Sequence, residues 1–135
     1  MNCRSCCLLL LALVCPPAVV IAQDVAGVDR AALVSRGQAV FERYCQPCHG
    51  SGPGDDGAPM LPGTHAIFLK HDGQIPPLLE DRADLGYEAL RVFVRNGVAS
   101  MPPFRKTELT DEDIAAIAAY FQESSGGQST PGVSD

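Results

Sequence analysis

The chain has little positive charge, and no apolar run in it is long enough to cross a membrane. Ten lysines and arginines stand against 16 aspartates and glutamates in 135 residues, which gives a net charge of −6. This balance repels nucleic acid and anionic membranes, so a partner with a basic or an apolar docking surface is expected. The sequence also lacks a nucleophile–base pair, a phosphate-binding glycine loop and a flavin motif. Nothing in it therefore indicates substrate chemistry.

Residues 1–22 predict a cleaved secretory signal peptide. Arg4 supplies a positive charge, an apolar run follows from Leu8, and Ala22 offers a small residue at the cleavage position. A membrane-spanning helix needs about 20 apolar residues, and two prolines divide this run. We therefore expect export to a bacterial periplasm without stable membrane insertion, with lipid attachment at Cys15 as the alternative. Residues 23–123 would form one small domain, and residues 124–135 read as a disordered tail.

Removal of that segment leaves two of the six cysteines, Cys45 and Cys48. Together with His49 they form C-x-x-C-H, the pattern for covalent attachment of one c-type haem. Two neighbouring thiols can add to the two haem vinyl groups, and the histidine can reach the iron as its proximal ligand. An exported protein with only these thiols has no disulfide framework to build. Export also agrees with this chemistry, because haem attachment takes place outside the bacterial cytoplasm.

The cysteine pair allows two other interpretations. A thioredoxin-like redox pair expects a strand and helix context, and a zinc site expects two further ligands at suitable spacing. His65 and His71 could complete such a set, but His49 would then be unexplained. We therefore expect His65 and His71 to be surface residues.

A second axial ligand is expected opposite His49, since a six-coordinate iron transfers electrons without binding small molecules. A methionine thioether is soft and favours ferrous iron, which raises the reduction potential. Met101 precedes two prolines that would stiffen its loop, whereas Met60 lies in a flexible glycine-rich segment. Met101 is therefore predicted as the distal ligand, with Met60 as the alternative.

The sequence predicts two long helices that cross closely. Asp29 can cap a first helix over residues 30–46, after a flexible leader, and Gly37 would let another helix approach its middle. A capping box at Thr110 and Asp113 begins the last helix, in which several alanines permit a close crossing near Gly37. The expected buried stripe of this last helix contains Ile114, Ile117, Ala118 and Phe121.

Between these helices, glycine and proline dominate residues 50–77, which predicts a long loop with one short helix over residues 64–70. A further helix is expected over residues 87–96, ended by Gly97.

Four residues from Pro77 to Arg95 are candidate contacts of the cofactor. Carbonyl groups near Pro77 can accept a hydrogen bond from the far ring nitrogen of His49, and this would strengthen the histidine as a ligand. Leu79 would pack on the haem. Arg91 and Arg95 are candidate partners of the haem propionates.

With these features the chain resembles a class I c-type cytochrome, which implies a small all-α fold around one covalent haem. Within that family it resembles the cytochrome subunits of flavocytochrome hydroxylases that act on p-cresol or eugenol. Four segments carry this resemblance: Pro62-Gly63-Thr64, Leu78-Leu79-Glu80-Asp81-Arg82, Val94-Arg95-Asn96-Gly97 and Met101-Pro102-Pro103-Phe104-Arg105-Lys106-Thr107.

The resemblance implies a partner flavoprotein, carrying FAD, that oxidises a 4-alkylphenol and passes single electrons to this chain. A downstream cytochrome, copper protein or oxidase would accept them. Two further hypotheses stay open at this point. One is a free periplasmic carrier to a terminal oxidase, and the other is a haem enzyme or gas sensor with an open sixth position.

Overall fold

A computed structural model describes residues 20–126, with side chains from Asp29 onward. Five α-helices and one 3₁₀ turn form this part of the chain, which confirms the all-α prediction. In the described part, none of the helices combines the length and the apolar composition needed to cross a membrane. The helices are α1 Val20–Tyr44, α2 Gln46–His49, α3 Pro62–Lys70, α4 Tyr87–Asn96 and α5 Asp111–Gly126, and the 3₁₀ turn is Leu79–Asp81.

Helices α1 and α5 cross in close contact, and Gly37 makes the crossing possible. A side chain built at Gly37 would place its Cβ 2.0 Å from the carbonyl oxygen of Ala116. The prediction of a close approach at this glycine is therefore confirmed. Apolar side chains from α1, α4, α5 and the connecting segments form the surrounding core: Phe41, Leu85, Leu90, Val94, Leu109, Ile114, Ile117, Ala118 and Phe121.

The predicted capping box at the start of α5 is also confirmed. The amide of Asp113 donates to the Thr110 hydroxyl at 3.1 Å, and the amide of Thr110 donates to the Asp113 carboxylate at 3.0 Å. Leu109 and Ile114, on either side of the cap, are both buried in the core. Arg36 of α1 also donates to Asp113, at 2.8 Å, so the cap helps to join the two crossing helices.

The two ends of the described region differ from expectation. Helix α1 begins at Val20, so Asp29 lies inside it and the predicted leader is helical; the two alanines and the glutamine in residues 20–28 favour this extension. Helix α5 continues to Gly126, beyond the predicted boundary at residue 123. The hydroxyl of Ser124 donates to the carbonyl of Glu80 at 2.7 Å and so holds the last turn. The remaining tail and most of the predicted signal peptide lie outside the described residues.

The other predicted helices are found with small shifts. Helix α3 begins two residues before Thr64, at Pro62, because a proline is readily accepted in the first turn of a helix. Helix α4 has the predicted bounds, and Gly97 follows it with φ 67°, a left-handed conformation that favours glycine. The long glycine- and proline-rich connection therefore contains one regular helix among its described residues.

Candidate functional site

The two cysteines and the histidine lie on a single turn directly after α1. The amide of Cys45 still donates to the carbonyl of Phe41 at 2.9 Å, which continues the hydrogen bonding of α1. Helix α1 nevertheless ends at Tyr44 rather than at Gln46, because Pro47 has no amide hydrogen and suits the start of a new helix. The amide of His49 then donates to the carbonyl of Cys45 at 2.8 Å. Cys45, as the N-cap, and α2 thus carry both thiols and the imidazole on one turn.

Both thiols are free, and their surroundings differ. Cys45 is half-buried and packs against the core, whereas Cys48 is exposed. Burial, with a smaller contribution from the nearby Cys48, raises the pKa of the Cys45 thiol to about 11. Cys45 is therefore a neutral thiol at physiological pH, beside a second thiol that solvent can reach.

The surroundings of His49 favour a neutral imidazole. Its ring is half-buried, and burial lowers the pKa of His49 below the ordinary value, so the neutral form that can bind a metal is favoured. Its Nδ1 atom is buried and has no hydrogen-bond partner among the described residues. A histidine that serves only packing normally has its buried nitrogens paired.

Gly63 of α3 lies against the His49 ring. A Cβ atom at Gly63 would be 2.6 Å from Cε1 and 2.7 Å from Nδ1 of His49, so only glycine fits there without a shift. Next to it, the hydroxyl of Thr64 is buried and donates to the carbonyl of Gly50 at 2.9 Å. These two contacts hold α3 against residues 45–49, the attachment turn, which carry both cysteines and His49. The sequence predicts no role for Gly63 or Thr64, which stand there only in the segment Pro62-Gly63-Thr64, one of those on which the resemblance rests.

The predicted hydrogen bond between His49 and a carbonyl near Pro77 is wrong for this structure, since Nδ1 has no partner. The ring edge is covered by the backbone of α3 instead. Pro77 lines a small cavity of about 180 Å³ together with Met60, Leu78 and the segment that follows His49. Pro77 therefore lies on the side of the site that the long loop forms, beside the residues that follow His49.

Met101 belongs to a tight loop between α4 and α5 and packs against the same core as Cys45. Val98 and Met101 form a two-residue antiparallel pair, with N–H to O distances of 3.1 and 2.9 Å. Three residues later, the Phe104 ring meets the Tyr44 ring edge-on at 6.3 Å between centroids. Tyr44 directly precedes Cys45. This contact therefore brings the methionine loop, residues 97–104 with Met101, next to the attachment turn.

Hydrogen bonds join the segment that contains Leu79 to helix α5. Leu79 is half-buried at the edge of the core. The hydroxyl of Tyr120 donates to the carboxylate of Glu80, and burial together with this bond raises the pKa of Tyr120. The amide of Gln122 donates to the carbonyl of Ala83 at 2.5 Å. Leu79 is thus held by hydrogen bonds between its segment and α5, and it packs on the same core as Cys45 and Met101.

The two candidate propionate partners occupy different surroundings. Arg91 is 47% exposed and pairs with Glu88 at 3.2 Å. Arg95 is 16% exposed, and its two terminal nitrogens donate to protein acceptors, while its Nε atom is buried without a partner. Propionate binding by either arginine stays a prediction.

The remaining candidates lie in or next to the long loop. His65 and His71 are half-buried at the start and the end of α3, so they are less exposed than expected. Met60 lines the cavity beside Pro77 and the segment after His49. Met60 therefore lies in the long loop beside Pro77, whereas Met101 packs on the core that Cys45 also contacts.

The residues fit a covalently bound haem. Two free thiols one turn apart, an imidazole whose neutral form is favoured, and a glycine that makes room for that ring meet the requirements of attachment and proximal ligation. Leu79 and Met101 pack on the core that Cys45 also contacts.

A comparison with protein families agrees with this site. The family model described as cytochrome c oxidase, cbb3-type, subunit III matches residues 32–121, which is more than half of the chain and spans the attachment turn, the Met101 loop and most of α5. No match was found among curated proteins or among solved structures.

Proposed function

This chain belongs to the family of c-type cytochrome domains described as cytochrome c oxidase, cbb3-type, subunit III, and we propose on this premise that it is a single-haem electron carrier of the periplasm. The C-x-x-C-H turn carries this proposal. It is the one such motif in the sequence, and it lies at the end of the helix that crosses α5. A covalently held haem supplies a one-electron couple between ferric and ferrous iron.

In this proposal Cys45 and Cys48 bind the haem, His49 is the proximal ligand and Met101 the distal one. The neutral state of the buried imidazole supports His49. The packing of Met101 on the same core as Cys45, and the position of Met60 on the loop side, support Met101 over Met60. Two ligands fixed by packing keep the change in geometry small when an electron is gained or lost.

For the electron donor we propose a flavoprotein that oxidises 4-alkylphenols. The substrate loses two electrons and two protons to become a quinone methide, and the reduced flavin passes its electrons on one at a time. The four segments that carry the resemblance to the p-cresol and eugenol flavocytochromes support this donor. Exposed apolar side chains on and after α4, namely Val92, Phe93 and Val98, offer an apolar docking surface to such a partner.

A second candidate is a carrier that delivers electrons to a terminal oxidase. The family description favours it, because it names a subunit of an oxidase. The two candidates share the same haem chemistry and differ in the partner: a flavoprotein donor for the first, and a terminal oxidase as the acceptor of a free carrier for the second.

Capture of the mature holoprotein from its native periplasm, followed by optical spectra, tests the proposal. A flavin band that is bleached by a 4-alkylphenol while the haem becomes reduced is the expected result. A cytochrome that no phenol reduces, even with the extract present, would favour the oxidase carrier. Carbon monoxide binding by the reduced protein at neutral pH would contradict both, since it requires an open or easily displaced sixth position.

A further inference from the structure

We propose that Arg95 is the positioning residue of the methionine loop, the segment 97–104 that carries Met101. This inference rests on the proposed function, in which Met101 binds the iron. Its role would be to keep the thioether at the sixth position against competing ligands. This differs from the propionate contact that the sequence predicts for Arg95.

The guanidinium of Arg95 joins three points of the chain. Nη1 donates to the carbonyl of Phe104 at 3.0 Å, at the far end of the methionine loop. Nη2 donates to the carbonyl of Leu109 at 2.8 Å and to the carboxylate of Asp111 at 2.7 Å, at the start of α5. One side chain of α4 therefore connects the methionine loop to the helix that crosses α1.

The methionine loop depends on this connection because it has few hydrogen bonds of its own. Pro102 and Pro103 have no amide hydrogen and cannot donate. The amide of Phe104 donates to the carbonyl of Val94 at 2.8 Å, and the Val98–Met101 pair closes the other end. Arg95 thus provides the hydrogen bond to the Phe104 carbonyl directly after the two prolines.

Burial makes this contact difficult to replace. The Arg95 side chain is 16% exposed, so a shorter neutral side chain would leave the Phe104 and Leu109 carbonyls without their donor in a protected site. A lysine keeps the charge but has no planar fork that can reach two carbonyls and a carboxylate together. The Asp111 carboxylate also accepts a hydrogen bond from Nζ of Lys106 at 2.8 Å, which further fixes the position of this acceptor of Arg95.

The test is imidazole binding to the ferric holoprotein, because imidazole can take the sixth position only when Met101 leaves it. In Arg95→Gln we expect imidazole to bind about ten- to a hundredfold more tightly than in the wild type, from the loss of charged hydrogen bonds. Arg105→Gln is the matched control. Arg105 is 81% exposed, pairs only with Glu108 among the contacts recorded for its side chain, and should leave the dissociation constant unchanged.

Arg95→Lys gives a second measurement that does not depend on recovering the Arg95→Gln protein. It should bind imidazole more tightly than the wild type, and equality with the wild type would overturn the proposal. So would equal dissociation constants for Arg95→Gln and Arg105→Gln. Thermal unfolding of each holoprotein is recorded alongside. A merely structural role would lower the melting temperature without changing imidazole affinity in the folded protein.

Failure of the proposed function would look different. The wild-type ferric protein should show the red charge-transfer band of methionine-ligated iron, and Met101→Ala should lose it. If the wild type lacks this band, the assignment of Met101 is wrong. If the band is present and Arg95→Gln leaves imidazole binding unchanged, only the role of Arg95 is wrong.

Discussion

The crossing of α1 and α5 and the methionine loop are held by different kinds of contact. At the crossing, backbone meets backbone at Gly37 and Ala116, and fully buried side chains such as Phe41 and Phe121 surround the contact. Their rings meet edge-on at 5.4 Å between centroids. The methionine loop packs on the core through Met101 and Phe104, and it is held in addition by a guanidinium, a few backbone hydrogen bonds and one aromatic contact.

The two regions therefore have different roles in the protein. A tightly packed apolar crossing tolerates no change in volume, and it fixes the end of α1 that carries the attachment turn. A loop that is held partly by polar contacts can be adjusted one hydrogen bond at a time, so the position of Met101 can change without a change in the crossing. We therefore expect substitutions at the crossing to reduce global stability and substitutions near the loop to alter ligand binding.

The largest effect is expected from Gly37→Ala. Its new Cβ would lie 2.0 Å from the Ala116 carbonyl oxygen, so the helices must move apart. Alanine favours a helix by roughly 1 kcal/mol over glycine, but the forced separation should cost more, for a net loss of about 3 kcal/mol or more. Denaturant unfolding of the holoprotein measures this loss in the free energy of unfolding.

Gly86→Ala is the matched control, because a Cβ there meets nothing within 4 Å and the backbone φ is −74°. Gly86 is the N-cap of α4, where alanine is less favourable than glycine, so a loss of at most about 1 kcal/mol in the free energy of unfolding is expected. Equal losses in the two variants would mean that the close crossing does not limit stability.

A smaller loss is expected from Thr110→Ala, which removes the hydroxyl that accepts from the Asp113 amide. Loss of an N-cap typically costs about 1 kcal/mol. The control is Thr107→Ala at an exposed position. The comparison between Thr110→Ala and the control uses chemical denaturation, and no difference would show that α5 does not depend on this cap.

Ala99→Gly should act in the opposite direction. Ala99 has φ 50°, a left-handed conformation that costs an alanine about 1–2 kcal/mol, while glycine loses more chain entropy on folding. A net gain of about 0.5 kcal/mol is expected in thermal unfolding. Ala58→Gly, in the long loop and without a positive φ, should destabilise instead. Destabilisation by both would show that the turn at Ala99 is unstrained.

The smallest effect concerns acid stability. Hydrogen bonds from Lys106 and then Arg95 lower the pKa of Asp111 from its ordinary value of 3.8 to about 2. Because the folded pKa is depressed, the ionised carboxylate stabilises the fold above about pH 4, and this contribution is lost as the pH falls towards 2.

Asp111→Asn should therefore unfold more readily at pH 7 and approach the wild type near pH 2, in melting temperatures recorded across that range. A constant difference at all pH values would argue against the ionised pair.

The helices and their crossing could be predicted from the sequence because they follow local rules. The capping box at Thr110, the mid-helix Gly37 and the stripe of α5 each identify an element by spacing alone. The start of α1 could not be predicted, since Asp29 has capping chemistry whether or not the helix continues before it. The contact of Gly63 with His49 and the partners of Arg95 depend on distant segments, so no local pattern reveals them.

The most direct test of the account is a proton NMR spectrum of the reduced holoprotein. A methionine bound to haem iron has its methyl resonance shifted far upfield by the porphyrin ring current. We expect one such signal in the wild type and in Met60→Leu, and none in Met101→Leu. An upfield methyl signal that persists in Met101→Leu and disappears in Met60→Leu would contradict the account, since the distal ligand would then come from the long loop.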